Sequence, residues 1–115
     1  MKIEYFKLKL DGSSVKLRVI AGRYENGNKA YQLVSFSRGE EEDFADITVN
    51  PGVLDELGAV WVKTWGENSE IFEALVKGGY LDPIGVECPC GYARAAACRI
   101  TKKLAKYIQS DFDQD

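Results

Sequence analysis

The chain has 115 residues, 45% hydrophobic and 29% charged, with a formal net charge of −3 and no histidine. That length buries a core without disulfides or metal, and the composition is not that of a disordered chain. No run of about 18 apolar residues occurs, which excludes a membrane-spanning helix.

Charge is unevenly placed. Residues 1–29 carry seven bases and three acids, residues 40–73 carry ten acids and one base, and residues 92–107 carry five bases and no acid. Met1 to Leu10 alternates charged with apolar residues and has no continuous apolar stretch of the kind a secretory leader needs. A cytoplasmic protein with reduced thiols is therefore expected. The chain shows no repeat, linker or low-complexity segment, so residues 1–115 are expected to form a single domain with a flexible acidic tail at 111–115.

Phe6, Leu8 and Leu10, then Val15, Leu17 and Val19, alternate with charged residues on either side of Asp11-Gly12. This pattern predicts a β-hairpin with one apolar face. "ENGNK" at 25–29 predicts a second turn, followed by a strand in "AYQLVSFS". "RGEEED" reads as a charged loop tip. "FADITVN" reads as a strand with Ala45, Ile47 and Val49 inward, ended by Asn50-Pro51-Gly52. "AVWVKTW" at 59–65 predicts a fifth strand, with Trp61, Lys63 and Trp65 on one partly exposed face.

"NSEIFEALVKGG" predicts the main helix over about 69–78. Asn68 or Ser69 would cap it, and Glu70 and Glu73 suit its positive end. Ile71, Phe72, Leu75 and Val76 form an apolar stripe. Gly78-Gly79 would end it, with Tyr80 folding back on Leu75 if Gly79 is left-handed. The fold class expected is α+β: an antiparallel sheet of five to seven strands with this helix packed on it and a weaker C-terminal helix.

From residue 92 onward, "YARAAACRITKKLAKYIQ" has high helix propensity throughout, yet Arg94, Ala96, Cys98 and Ile100 also alternate as in a strand. "AYQLVSFSRGEEEDFADITVN", "VWVKTWGENSEIFEALVKGGYLDPIG" and "CRIT" together resemble a family of short bacterial proteins. These proteins occur in gut bacteria and their mobile elements, and are described only as a domain of unknown function. The resemblance covers roughly residues 30–101. It implies a strand over 92–99 and a helix from near Thr101, and it brings no activity or catalytic residues. The alanine run, Cys88 and Cys90 depart from the family pattern.

Cys88, Cys90 and Cys98 are the only cysteines. A structural zinc site usually takes four Cys or His ligands, and two cysteines one residue apart are poorly placed for a disulfide. Packed free thiols are expected, with no metal or cofactor. Without histidine the commonest general base near neutral pH is missing, and no glycine-rich phosphate loop is present. No catalytic, cofactor-binding or metal residues are assigned, and the protein is not expected to be an enzyme.

A binding function remains. Glu40, Glu41, Glu42, Asp43 and Asp46 would face a host protein with a basic surface, and Trp61 and Trp65 would anchor the contact. With the resemblance, this suggests a non-catalytic protein of a phage or mobile element that inhibits a host defence such as CRISPR or restriction. The alternative is a small nucleic-acid-binding or regulatory module using Arg94, Arg99, Lys102, Lys103 and Lys106 with Tyr92 and Tyr107. The net negative charge argues against direct nucleic-acid binding.

Overall fold

The computed structural model describes residues 3–52 and 59–110; the tail at 111–115 lies outside the described residues. Asp11 and Gly12 take φ of 48° and 81°, the left-handed pair that a two-residue hairpin turn needs. They join β1 (Phe6–Leu10) to β2 (Ser13–Arg23) in the register Phe6 to Leu17 and Leu8 to Val15. β2 continues past β1 and pairs with β3 (Lys29–Ser37) through Leu17–Arg23. The turn between them is closed by the Tyr24 N–H to the Asn28 carbonyl at 2.9 Å.

Arg38 and Gly39 form a second left-handed pair, with φ of 55° and 79°. The chain therefore reverses in two residues, and β4 (Glu40–Asp46) starts at once against β3. The acidic stretch expected as a loop tip is a strand, because these two residues complete the turn on their own. Leu33 pairs with Ala45 but Val34 with Asp43, so Phe44 is the extra residue of a β-bulge. Past β4 the chain leaves this sheet. The Ile47 N–H donates to the Tyr31 carbonyl, while the Ile47 carbonyl accepts from Lys63 N–H, both at 2.9 Å.

Lys63 follows β5 (Ala59–Val62), the first strand of a second antiparallel sheet ordered β5-β7-β6, with β6 at Leu81–Cys90 and β7 at Ala93–Ile100. Between β5 and β6 runs α1 (Asn68–Lys77), within one residue of its expected bounds. After β7 come α2 (Lys102–Ala105), capped by the Thr101 hydroxyl, and β8 (Ile108–Ser110), which lies parallel to Val19–Ala21 of β2. The fold is α+β and mainly antiparallel, as expected, with β8 on β2 the parallel exception among the described strands, but the strands divide between two sheets.

α1 begins differently from expectation. Glu67 occupies the cap position and no side chain caps the helix. Asn68 is instead buried, and its side-chain amide donates to the Asp46 carbonyl at 2.5 Å, tying the helix to the end of β4. The C-terminal end follows expectation. Gly79 takes φ 82°, its N–H donates to the Val76 carbonyl at 3.1 Å, and Tyr80 N–H donates to the Leu75 carbonyl at 2.8 Å. Tyr80 thereby turns inward against Phe6, with ring centroids 4.7 Å apart. The main core gathers Leu17, Val19, Leu33, Ile47, Val62, Leu75, Cys98 and Leu104, each at 1% exposure or less.

β7 shows why helix propensity fails at the alanine run. Ala96, Cys98 and Ile100 belong to the main core, whereas Ala95 and Ala97 are fully buried on the other face. There they form a second cluster with Trp61, Trp65, Val49, Ile84 and Cys88. Trp61 pairs in register with Ala97, so small side chains on β7 leave room for the indole. Val49, expected in the main core, belongs to this second cluster. Ala97→Leu is expected to cost about 1–3 kcal/mol through overpacking. Urea unfolding followed by tryptophan fluorescence checks it, with the exposed Ala105→Leu as a control expected within about 0.5 kcal/mol.

Candidate functional site

The acidic row is built by β4 and split by its pleat. Ser35 pairs with Glu42 and Ser37 with Glu40, and Ser35 also pairs with the core residue Leu17, so Glu40 and Glu42 stand on the core side of the sheet. Phe36 pairs with Glu41 and Val34 with Asp43, which places Glu41 and Asp43 on the outer side. Asp46 pairs with Gln32 on that outer side as well. Every residue of β4 except Ala45 is exposed.

Glu41 has a different role from its neighbours. Arg18 Nε donates to Glu41 Oε2 and Arg18 Nη2 to Oε1, each at 2.6 Å, while the Tyr5 hydroxyl donates to Oε2. The Tyr5 ring stacks on Phe36 with centroids 4.9 Å apart, and the Lys16 ammonium lies 5.9 Å from the Phe36 centroid. Arg18 is 9% exposed, so its guanidinium depends on this fork for a counter-charge. Hydrogen bonds from Arg18 first and Tyr5 second pull the Glu41 carboxyl down to about 2. Glu41 is thus engaged within its own sheet. Glu40, Glu42, Asp43 and Asp46 make no ion pair among the described residues.

The tryptophans stand elsewhere. β5 ends at Val62, so Trp61 and Trp65 do not share a strand. Trp61 is 7% exposed and its indole N–H donates to the Gly52 carbonyl at 3.2 Å. The expectation of a partly exposed face therefore fails for Trp61, because the small alanines of β7 leave room for its ring to pack beside them. Trp65 is half-buried, with the Lys63 ammonium 5.8 Å from its ring. Both pack in the cluster on the second sheet, and no β4 carboxylate belongs to it.

The basic C-terminal residues do not form one face. Arg94 and Arg99 lie an odd number of positions apart on β7 and so point to opposite sides. Arg94 pairs with Glu87 at 3.0 Å. Lys103 donates to the Gly78 carbonyl at 2.6 Å and sits 4.6 Å from the Tyr80 ring. Lys102 and Lys106 are exposed around the four-residue α2.

Cys88 and Cys90 are half-buried near the β6–β7 turn, on the side of β6 that Cys88 shares with Trp61. Cys98 faces the main core, where burial first and the Asp82 charge second push its thiol up to about 12. The three thiols do not converge, and no group of three or more potential metal ligands forms among the described residues. No described helix is long and apolar enough to cross a membrane.

Three residues of this region escaped the sequence reading. Phe44 carries a signal, since it is a large apolar side chain set among acids. Tyr5 and Arg18 carry none, because their meeting with Glu41 spans three strands' worth of tertiary pairing. No family model matches the chain, and neither a curated protein nor a solved structure matches it.

Two outcomes follow for this region. Glu41 is held below its unfolded value, so its stabilisation is fully present above about pH 4.5 and is lost as pH falls towards about 2. Glu41→Gln should lower stability by about 1–2 kcal/mol near neutral pH and flatten the acid limb of stability against pH, read by urea unfolding. In native protein at pH 8, iodoacetamide should label Cys88 and Cys90 but spare Cys98 until the chain unfolds, counted by intact mass.

Proposed function

We propose that this chain is a non-catalytic binding protein that docks onto a basic surface of another protein through β4. The observation that carries this reading is the row Glu40, Glu42, Asp43 and Asp46, exposed along one strand and without an ion pair among the described residues. Charges left unmatched in the free protein attract an oppositely charged partner and steer its approach. The tryptophans contribute packing under this reading, since Trp61 is buried. The resemblance to mobile-element proteins suggests the setting: a phage or mobile-element protein acting in the cytoplasm on a host protein, as an inhibitor of a defence such as CRISPR or restriction.

The test compares two charge variants for capture of a protein from host lysate. Glu40→Ser, Glu42→Ser and Asp43→Ser together, with Glu41 left in place, should slow association about tenfold at low salt and reduce its salt dependence. Lys102→Ala with Lys106→Ala should leave association within about twofold of wild type. Loss of capture by the lysine variant, or a steeply salt-dependent binding of single-stranded DNA or RNA with no protein captured, would overturn the proposal.

A further inference from the structure

Among the described residues β4 pairs only with β3, so it is the edge of its sheet. Alternate backbone N–H and C=O groups of an edge strand point away from its neighbour and are open to another strand. Regular pairing on β4 runs from Glu40 to Asp43 and is broken at the Phe44 bulge. Beside the bulge a cleft opens between β4 and α1. Leu10, Phe44, Ala45 and Ile71 line it with apolar surface, and the exposed Glu67 and Glu70 add two carboxylates. Phe44 is 37% exposed. Glu40 and Glu42 stand on the same side of the sheet as this cleft.

From this edge and cleft we propose that β4 takes a basic, extended segment of a partner protein as an added strand. Its alternate lysine or arginine side chains face Glu40 and Glu42, and one of them seats in the cleft beside Phe44. This rests on the reading of β4 as the docking edge and adds the mode of binding. Backbone hydrogen bonds supply affinity in such additions, and the side chains on each face supply selectivity. A lysine or arginine suits the cleft because its methylene stem covers apolar surface while its head reaches carboxylates.

Charge decides the occupant. A second copy paired β4 to β4 would bring acids against Glu40, Glu42 and Asp43, and like charges directly opposite destabilise a strand pair. A nucleic acid would bring phosphates to the same carboxylates. On the outer side Arg18 neutralises Glu41 and leaves Asp43 and Asp46, whereas on the core side Glu67 and Glu70 of the cleft add to Glu40 and Glu42, so the stronger demand for bases lies on the core side. Arg38 shares that side with Glu40 and Glu42, so the base nearest the β3–β4 turn gains least.

The test uses a capped peptide of alternating lysine and valine, titrated into the full-length ¹⁵N-labelled protein. The expected result is a set of amide shifts confined to Glu40–Asp43 and Phe44, with hydrogen exchange at the edge-facing amides slowed about tenfold. Two isomeric probes carry N-methyl groups on the lysines or on the valines. Strand addition predicts that one isomer loses about tenfold in affinity while the other stays within about threefold of the parent. Phe44→Ala should weaken the parent peptide, and replacing its lysines by glutamates should abolish binding. Binding without amide protection and with both isomers equal to the parent would overturn strand addition, yet leave the acidic docking surface standing. No binding of the parent peptide would also overturn it, with the docking surface then judged by the lysate experiment alone.

Discussion

The three residues Ile47 to Val49 hold the two sheets together. Tyr31 of β3 uses its carbonyl to accept from Ile47 N–H and its N–H to donate to the Thr48 hydroxyl at 3.0 Å. On the other side Ile47 accepts from Lys63, and Val49 N–H donates to the Trp61 carbonyl at 3.1 Å. A backbone group buried without a partner costs about as much as a lost hydrogen bond, so this segment has little freedom to shift. Around it, Tyr24 hydroxyl meets Thr48 hydroxyl at 3.1 Å, and Asn28 holds the Asn50 and Gly52 oxygens at 2.9 and 2.7 Å. Among the described residues, the stretch from Ile47 to Gly52 finds polar partners on both sides as the chain leaves the first sheet.

That crossing also sets what β4 can do. Because the chain departs for the second sheet after Asp46, the first half of β4 remains an edge with no further strand among the described residues. Exposed edges invite unwanted pairing, and acids with a bulge are two ordinary protections against it. The same devices that repel a like edge leave the strand open to one of opposite charge. Glu41 is the exception that keeps the edge in place. Its fork to Arg18 and its bond to Tyr5 link β4 to β2 and to the residue before β1, across the intervening β3.

The hairpin of β1 and β2, the main helix and its glycine stop were legible in the sequence because each depends on neighbours within a few positions. Asp11-Gly12 sets a turn locally, and Gly79 with Tyr80 sets a helix end locally. Arg38-Gly39 was equally local, but four acids in succession suggested a solvated loop and hid a two-residue turn. The Glu41 fork was not legible, since nothing in "EEED" distinguishes the second glutamate until the register of three strands is known. Trp61 was misread for a related reason. Its exposure depends on which residues of β7 lie beside it, and those are more than thirty positions away in sequence.

The alanine-rich strand shows how tertiary packing overrides a local preference of this size. Each alanine favours helix over strand by a fraction of a kcal/mol. Burying an indole over them removes a large apolar surface from water, at roughly 25 cal/mol per Å². A helix over the same residues would also forfeit the antiparallel pairing of Ala93–Ile100 with both β5 and β6. Small side chains are thus what this central strand requires on its outer face, where a larger residue at 95 or 97 would lift Trp61 off the sheet. The composition that makes the segment look helical is the one that lets it serve as the middle strand.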